Sequence, residues 1–403
     1  MTMKKQHIIL TCLAFLCIFH TAWAQMSKAT SIEEVLQSVL QNNKEWQATT
    51  SQAEAQKWQA RAENNLPNPE VTYSHLWGNK EGMGFTGEFI ASQSFDFPTL
   101  YAQRNRLNRE RTTMYDAEAE ALRQQILSQA QTVCLDLIYL NQLHKLLAQR
   151  LANAEALSGY YAEQLEQGNT NIIEVNKVNL ELLNARNASR LNEADLLAKQ
   201  QELVALNGGV PIAFCDTLYR SSYDYPTDFE TYRLEAMAAW PELQALRSAE
   251  ATAIRNITIS KQQWLPGLTL GYRMNPSSGG DRYNGVMVGI SIPLFANRHK
   301  VKQAKAERIA AESRLQSQSD ATLANLRQLW TRAGELRKSI DEYAAILRLQ
   351  DNISLLNKSL RAGQISMIEY FVNVATFYDS MENYLQLQND YQKTLAQLYR
   401  FRL

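Results

Sequence analysis

The chain has 403 residues, of which 45% are hydrophobic and 20% are charged, so it is long enough for two or three domains with sizeable cores. Its 41 basic and 41 acidic residues cancel, and the composition therefore lacks the electrostatic signature of a nucleic-acid-binding protein. After the N-terminus no run of about 18 apolar residues occurs, so any further passage through a membrane would have to be made by strands.

The N-terminal segment has the pattern of a secretory signal peptide. Two lysines precede an apolar run at residues 8–19, and the small-x-small motif that signal peptidase cleaves ends at Ala24. We therefore predict that residues 1–24 are removed and that the mature chain begins at Gln25. Neither cysteine of this segment follows the small residue that a lipoprotein signal requires, so no lipid anchor is expected.

The first half of the mature chain is predicted to begin with a helix and a hairpin of two strands. A capping box of Ser31 and Glu34 opens the helix, which extends to about Asn65 before a proline-rich stop. Residues 71–77 and 85–97 then alternate between apolar and polar side chains, which indicates two strands.

After Pro98 the sequence predicts one long helix that continues to about Gln167, a length of about 100 Å at 1.5 Å per residue. Positions that step alternately by four and three residues predict a coiled-coil seam in this helix. The seam comprises Val133, Leu137, Leu140, His144, Leu147, Leu151, Ala154, Ser158, Tyr161 and Leu165. A further helix is predicted from about Asn171 to Leu206.

The order of elements then repeats. Residues 208–227 have no clear period and are predicted to link the two halves. The second half is predicted to hold a helix at 228–264, strands starting near Leu268 and Val286, a long helix at 297–361 and a last helix at 366–400. We therefore predict two structural repeats, residues 25–207 and 228–403, each with a helix, two strands, a long helix and a further helix.

One short segment occurs in both halves. The sequence at 360–369 aligns with that at 165–174, which places Gly363 on Gly168 and Glu369 on Glu174. Each glycine can take a positive φ as a helix C-cap, and each is followed by a capping residue that restarts a helix. We predict two turns between antiparallel helices and expect these turns to be the working end of the molecule.

The number of strands limits how the chain can enter a membrane. Four strands of about 9 to 11 residues suit the wall of a membrane-spanning barrel, but a closed barrel needs at least about eight strands. Several copies of the chain would therefore have to share one barrel. The alternative is that the four strands pack as a half-buried sandwich.

Taken together, these features resemble the TolC family of outer-membrane channel proteins. The likeness rests on the signal peptide, the doubled order of elements, the strand openings L-P-N-P-E-V-T-Y and L-P-G-L-T-L-G-Y, the segment I-S-I-P-L-F-A-N-R and the two G-x5-E turns. It implies a mainly α fold with a small β part, in which a long antiparallel coiled-coil α-helical barrel accompanies four transmembrane strands per chain. It also implies a trimer that shares a 12-stranded β-barrel.

The resemblance further implies a place and a role. It implies the exit duct of a tripartite efflux pump in the outer membrane of a Gram-negative bacterium, with the helical part in the periplasm. The implied cargo is small molecules or metal ions, and the implied partners are a periplasmic adaptor, an inner-membrane pump and outer-membrane lipid. The segment I-P-L-F-A-N-R and the basic helix start after it are similar to the heavy-metal efflux branch.

Residues at the two turns take their expected roles from this resemblance. The tips of the family dock against a helical hairpin of the adaptor, so segments 164–174 and 359–369 are expected to contact it. The residues at the turns are Gly168, Asn169, Gly363 and Gln364.

Glu369 and Glu174 are the expected residues of a periplasmic gate just beyond the turns. Glu369 matches a position where acidic side chains ring the pore in the family, whereas Val372 occupies a second position that is acidic in its best-known member. A ring of carboxylates would concentrate cations and repel anions. The alternative is that Glu369 and Glu174 only complete the caps of their helices.

Three charged residues of the strands belong to the polar set. Glu88, Asp96 and Arg273 are expected to face the barrel lumen, unless some of them lie beyond the edge of the bilayer. The aromatic side chains of the opposite set are expected to contact lipid.

The sequence contains no nucleophile elbow, no phosphate-binding glycine loop and no HExxH motif, and its histidines are isolated. We therefore expect neither an enzyme nor a bound cofactor or metal. The alternative function is that of a periplasmic coiled-coil adaptor or scaffold. Such an adaptor would usually carry one hairpin with a Gly-rich β module, whereas this sequence predicts two hairpins and two strand pairs.

Overall fold

The computed structural model describes residues 27–29, 31–220, 223–347 and 352–403. The predicted signal peptide, residues 1–24, lies outside these ranges. In the first half the elements are β1 (Ser27–Ala29), α1 (Ile32–Asn42), α2 (Lys44–Ala62), β2 (Glu70–Trp77), β3 (Phe85–Phe95), α3 (Pro98–Glu166), α4 (Ile172–Leu206) and β4 (Ile212–Phe214). In the second half they are α5 (Phe229–Ala239), α6 (Pro241–Gln262), β5 (Gly267–Pro276), β6 (Arg282–Ser291), α7 (Lys300–Leu347), α8 (Asn352–Arg361) and α9 (Met367–Leu398), followed by a 3-10 turn at Arg400–Arg402.

The described chain divides into two compact units. The helical unit comprises the chain up to Trp46, Arg123–Phe229 and Leu326–Leu403, and the sheet unit comprises Gln47–Leu122 and Glu230–Asn325. Each unit contains segments from both halves of the sequence, so the boundaries of the compact units differ from the predicted boundaries of the repeats. The two repeats remain a prediction about internal similarity.

In the sheet unit, β2, β3, β5 and β6 form one antiparallel sheet in that order. Each half of the chain supplies one hairpin, and the pairing of β3 with β5 joins them, with Phe89 opposite Met274 and Phe95 opposite Leu268. Within the described chain, the outer edges of β2 and β6 have no partner strand. The sheet is therefore open at both sides.

The register places most apolar side chains on one face of the sheet and most polar side chains on the other, as the alternation predicts. The exceptions include Ile90 and Met287 on the polar face and His75 and Gln93 on the apolar face. One face carries Val71, Tyr73, Trp77, Phe85, Phe89, Leu268, Leu270, Tyr272, Val286, Val288 and Ile290. The other carries Thr72, Ser74, Glu88, Ser92, Ser94, Thr269, Arg273 and Ser291. The apolar face is open, since Trp77 is 79% exposed and Val286 is 83% exposed, whereas a soluble sheet normally packs such a face on a core.

The helix predicted from Ser31 to Asn65 is in fact two helices, α1 and α2. They separate at Asn43, whose backbone is extended and whose side chain is buried. Its Nδ2 donates to the carbonyl oxygen of Leu206 at 2.8 Å, and its Oδ1 accepts from the N–H of Trp46 at 2.8 Å. The side chain thus caps α2 and contacts the end of α4, which replaces the helical hydrogen bonds that are lost.

The helix predicted at 228–264 is also broken. Trp240 is extended between α5 and α6 because it precedes Pro241, and the residue before a proline is disfavoured in the helical conformation. The long helix predicted at 297–361 is described as α7 and α8, and residues 348–351 between them lie outside the described ranges. None of the helices in the described ranges is long and apolar enough to cross a membrane.

The segment predicted to be a linker, 208–227, contains regular structure. Residues 212–214 form β4, are buried, and pair in parallel with β1. That this segment links the two halves stays a prediction. Its strand gave no periodic signal in the sequence, because a three-residue strand depends on its partner β1, which comes soon after the predicted cleavage site.

The coiled-coil seam of α3 is confirmed, but burial extends well beyond one stripe. Val133 and Leu137 of the seam are buried, as predicted. So are neighbours on other faces of the helix, namely Cys134, Leu135, Ile138, Leu143 and Leu146. This part of α3 is therefore packed on several sides, and its sequence has fewer polar positions than a two-helix coiled coil would require.

Candidate functional site

The two repeated turns have the same backbone geometry. Gly168 has φ +74° and Gly363 has φ +67°, the left-handed conformation that glycine adopts without strain. At the first turn the N–H of Gly168 donates to Leu165 O at 3.0 Å and that of Asn169 to Gln164 O at 2.9 Å. This pair of bonds is the Schellman motif, which satisfies the last carbonyl groups of α3.

The second turn repeats this motif at the end of α8. Gly363 donates to Leu360 O at 3.0 Å, and Gln364 donates to Ser359 O at 2.9 Å. A Cβ added at either glycine would meet no heavy atom within 4 Å. The glycines are thus required by the backbone conformation and not by crowding.

The helix caps that follow the two turns differ. At the second turn Ser366 Oγ accepts from the N–H of Glu369 at 3.2 Å, and Glu369 Oε2 accepts from the N–H of Ser366 at 2.8 Å, which completes a capping box. At the first turn Asn171 accepts from the N–H of Glu174 at 3.0 Å. The Glu174 side chain instead contacts Lys177 at 3.3 Å, so the reciprocal bond is missing from this cap.

The Glu369 carboxylate is exposed and also hydrogen-bonded within its cap. The carboxylate accepts a hydrogen bond from the N–H of Ser366, and this bond holds the pKa of Glu369 below its ordinary value. The side chain is therefore ionised at neutral pH. Val372, one turn further along α9, is 60% exposed. The second helical hairpin therefore presents one fixed negative charge followed by an apolar side chain.

An apolar core lies behind the turns in the helical unit. It joins α3, α4, α8 and α9, and its buried members are Leu143, Leu146, Leu147, Leu157, Val178, Leu360, Met367, Tyr370, Val374, Tyr378 and Leu385. Tyr370 is its most central aromatic side chain and is 1% exposed. Because Tyr370 follows the capping box directly, the core fixes the start of α9.

Tyr370 closes a ring of three hydrogen bonds inside this core. Its hydroxyl donates to Asn357 Oδ1 at 2.7 Å, Asn357 Nδ2 donates to Asn153 Oδ1 at 2.7 Å, and Asn153 Nδ2 donates back to the Tyr370 hydroxyl at 3.2 Å. Burial raises the pKa of Tyr370, so the hydroxyl keeps its proton as a donor. The ring connects α3 of the first half with α8 and α9 of the second.

A second polar cluster connects the same halves further from the turns. Asp136 Oδ1 accepts from Lys393 at 2.9 Å and from Asn389 at 3.1 Å, while Asp136 Oδ2 lies 3.2 Å from Lys199. Burial acts to raise the pKa of Asp136, but the bonds from Lys393 and Asn389 outweigh it and hold that pKa below its ordinary value. The cluster therefore remains charged and paired at neutral pH.

Sequence reasoning missed both of these networks. Asn153 adjoins the seam position Ala154, and polar side chains at or beside a coiled-coil seam often specify how helices pair. That signal could have marked Asn153 as a contact residue. Its partners could not be found in this way, because Asn357 is 204 residues away in the sequence.

Grooves border the α8–α9 hairpin within the helical unit. One, of about 480 Å³, is lined by apolar side chains such as Leu355, Ile365 and Phe377 together with Asn373 and Thr376. Another, of about 750 Å³, is lined by residues of α3, α8 and α9. The hairpin that carries Gly363 and Glu369 is thus accessible along its sides.

The predicted lumen residues occupy two different places. Glu88 of β3 and Arg273 of β5 lie on the polar face of the sheet and form an ion pair across the two strands. Asp96 comes one residue after the end of β3, and its carboxylate accepts from Arg104 of α3 at 2.7 Å. Asp96 therefore belongs to the junction between sheet and helix and not to a strand.

The comparisons with solved structures concern the whole described architecture. CusC, whose structures are described in terms of folding and transmembrane channel formation, has a TM-score of 0.77 at 15% sequence identity, over 92% of this chain and 91% of that one. The CmeC outer membrane channel of Campylobacter jejuni has a TM-score of 0.76 at 14% identity, over 92% and 85%. The outer membrane protein VceC of Vibrio cholerae has a TM-score of 0.73 at 13% identity, over 92% and 95%.

With its long helices and its four-stranded sheet built from both halves, the chain has the fold of these solved structures. No curated protein sequence matches the chain. Residues 234–401 match the family model described as outer membrane efflux protein. The second half of the chain therefore matches the outer membrane efflux protein family, and the predicted resemblance to the TolC family is confirmed.

Proposed function

We propose that the chain forms the outer-membrane exit duct of a tripartite efflux pump. The observation that carries the proposal is the sheet, whose one face is mainly apolar and exposed and whose other face is mainly polar. A sheet with lipid on one side and a water-filled lumen on the other requires this arrangement. The family assignment favours this function over the alternative of a periplasmic adaptor or scaffold, and the duct would act by forming a passage, without catalysis.

The open edges of the sheet support assembly as a trimer. In lipid, every backbone N–H and C=O group must be paired, so the free edges of β2 and β6 need partner strands. Three copies that pair β6 of one with β2 of the next would close a barrel of 12 strands. Fractionation of cells tests this: a heat-sensitive trimer in the outer membrane is expected, and a soluble periplasmic monomer would refute the proposal.

The paired turns are the proposed contact with a periplasmic adaptor. Asn169 and Gln364 follow the two glycines directly, and their side chains are exposed. Photo-crosslinkers placed at these two positions are expected to capture the adaptor in cells that contain the whole pump. As a control, a crosslinker at exposed Lys80, in the β2–β3 loop of the sheet unit, should not capture it. Equal capture at all three positions would contradict the proposal.

Glu369 is proposed to contribute one carboxylate per chain to a ring at the periplasmic gate. Its exposure and ionised state support this role. Glu369→Gln removes the charge while glutamine can still accept the Ser366 hydrogen bond, so the cap is preserved. In planar bilayers the variant is expected to lose much of the cation preference, whereas Glu174→Gln should lose less. An unchanged preference in Glu369→Gln would exclude the ring.

The cargo is proposed to be small molecules or metal ions that an inner-membrane pump delivers. The similarity of I-P-L-F-A-N-R to the heavy-metal efflux branch favours metal ions. Deletion of the gene should therefore reduce tolerance to metal salts more than tolerance to organic drugs. The opposite order of sensitivities would place the chain in a drug-efflux system.

A further inference from the structure

The helix ends beside the sheet carry many positive charges, although the chain as a whole is neutral. Among these residues of the sheet unit, eight are exposed and form no ion pair with any described residue. They are Arg61, Arg106, Arg109, Lys261, Arg298, Lys300, Lys302 and Lys305. The nearby acids are partly neutralised, since Glu63 pairs with Arg111 at 2.6 Å and Glu110 lies 4.0 Å from Arg255.

Two of these arginines line a groove between the end of α2 and the beginning of α3. The groove has a volume of about 560 Å³, and its only charged residues are Arg61 and Arg109. The other lining residues are Thr112 and four asparagines, at positions 64, 65, 105 and 108. We call this the arginine–amide groove. Two unpaired guanidinium groups and several amide donors are the chemistry that binds a phosphate.

Asn64, one of the residues that line the groove, has an acceptor that needs a donor. Asn64 uses its Nδ2 to donate to Tyr101 O at 3.2 Å and to Asn105 Oδ1 at 2.8 Å. Its Oδ1 is buried and has no hydrogen-bond partner among the described residues. A buried acceptor is costly when it stays unpaired. The fitting ligand therefore combines a phosphate with a hydroxyl or ammonium donor.

Exposed apolar side chains flank the groove residues of the α2 end along the chain, Trp58 before them and Leu66 after them. Trp58 is 62% exposed, and the guanidinium of Arg61 lies 4.6 Å from the centre of its ring. Leu66, between α2 and β2, is 53% exposed. Going back along the chain from the sheet, Leu66 comes first, Arg61 next and Trp58 one helical turn beyond it. Apolar side chains followed by cations, with a tryptophan at the level of the cations, are found where a protein passes from the hydrocarbon region to the headgroups of a bilayer.

The same order occurs where the chain leaves the sheet in its second half. Ile292 and Phe295, after β6, are 66% and 84% exposed, and the cations at 298, 300, 302 and 305 follow. Isolated soluble phosphates would need only one groove. Exposed cations occur next to exposed apolar side chains in both halves of the chain, and this distribution fits binding to a continuous anionic surface better than binding to single phosphates.

We propose that the arginine–amide groove binds the headgroup of a phospholipid in the periplasmic leaflet of the outer membrane. Arg61 and Arg109 would hold the phosphate, and Asn64 Oδ1 would accept from a headgroup hydroxyl or ammonium. Along α3, Asn105 and Arg109 lie about 10 and 16 Å from Pro98 at 1.5 Å per residue. Long arginine side chains can extend from there to the headgroups. The inference rests on the proposed placement of the strands in the outer membrane.

Lipid binding to the purified full-length channel tests the proposal. Native mass spectrometry in detergent would count the lipids bound as phosphatidylglycerol, phosphatidylmethanol or phosphatidylcholine is titrated. Phosphatidylmethanol has the same charge as phosphatidylglycerol but no headgroup hydroxyl, so it should bind more weakly. Phosphatidylglycerol is expected to bind most tightly, and equal binding of all three lipids would overturn the proposal.

The decisive variant replaces both groove arginines. Arg61→Gln with Arg109→Gln should weaken phosphatidylglycerol binding by on the order of 10- to 100-fold. The matched control is Arg190→Gln with Arg314→Gln, which removes two exposed arginines that form no ion pair with the described residues. The control should bind lipid as the wild type does. An equal loss in both variants would show only a general charge effect and would overturn the proposal.

Two further measurements distinguish a failure of the lipid inference from a failure of the proposed function. If free glycerol phosphate or peptidoglycan fragments bind tightly and no lipid is preferred, the ligand of the groove is not a membrane lipid. The double variant should still give a heat-sensitive trimer in the outer membrane. If the wild type is absent from that membrane, the proposed function fails. If it is present but shows no lipid preference, only this inference fails.

Discussion

The two helical turns share a backbone design but differ in how firmly they are fixed. Both end a helix with a Schellman motif at a glycine of positive φ. Only the second continues into a complete capping box, and only the second is followed by an aromatic side chain with a buried hydrogen-bond ring. At the position equivalent to Tyr370, the first turn has Val175, which is buried but cannot form such bonds.

The difference shows that a repeated sequence motif can have two mechanical roles. The first turn has the Asn171 cap and the buried Val175 but no buried hydrogen-bond ring, so it can change its angle at smaller cost. The second turn is tied through Asn357 to Asn153 on α3, so the start of α9 cannot shift without breaking hydrogen bonds inside the core. We expect the second hairpin to behave as the two-state element of the gate, and the first to adapt to it.

The largest effect is expected when the buried anchor of the second turn is removed. Tyr370→Ala should destabilise the helical unit by about 3 to 5 kcal/mol, because it creates a cavity and leaves both asparagines without their partner. The equivalent change at the first turn, Val175→Ala, should cost about 1.6 kcal/mol for two lost methyl-sized groups. Denaturant unfolding and hydrogen exchange at residues 352–374 would measure both. Equal losses would contradict the comparison.

A smaller effect is expected when only the hydrogen-bond ring is broken. Tyr370→Phe should cost about 1 to 3 kcal/mol, because Asn357 Oδ1 loses a donor and Asn153 Nδ2 loses an acceptor while packing is kept. Tyr378→Phe is the matched control, since no hydrogen bond of its hydroxyl to a described residue is observed. In a double-mutant cycle, Tyr370→Phe and Asn153→Ala should be less than additive. Additive losses would mean that the ring does not act as a unit.

The glycine substitutions should affect the two turns equally. Gly168→Ala and Gly363→Ala should each cost about 1 to 2 kcal/mol, because alanine is strained at positive φ although its Cβ would have space. Gly208→Ala is a positive control, since there the Cβ would lie 2.1 Å from the backbone oxygen of Asn42. Proteolysis rates at the turns would report the loss. A clear difference between positions 168 and 363 would show that crowding contributes after all.

The smallest effect is a dependence on pH that belongs to the second turn. The pKa of Glu369 is lowered from its ordinary value of 4.5, so the stability from its cap is present above that pH and is lost as the pH falls through the lowered pKa. Hydrogen exchange of the N-terminal residues of α9, corrected for the intrinsic rate, should therefore increase in acid. Glu369→Gln should remove this dependence, because glutamine accepts the same bond without titrating.

Much of the local structure could be predicted from the sequence. The positive φ at Gly168 and Gly363, the caps at Asn171 and Ser366 and the alternation of the strands follow from local steric and hydrogen-bonding rules. These rules act within a few residues, so a single sequence carries them. The breaks at Asn43 and Trp240 were missed, although Pro241 gave a signal for the second.

The sequence by itself determined most of the helices, the strand faces and both turns, because periodicity and local hydrogen bonding fix them, and its motifs carried the resemblance to the TolC family. Only the tertiary structure decided which turn is anchored, since Asn153, Asn357 and Tyr370 become neighbours through packing across more than 200 residues. It likewise decided the pairing of β3 with β5 and the groove at Arg61 and Arg109. Contacts between distant segments depend on how whole helices and strands pack, which no local pattern encodes.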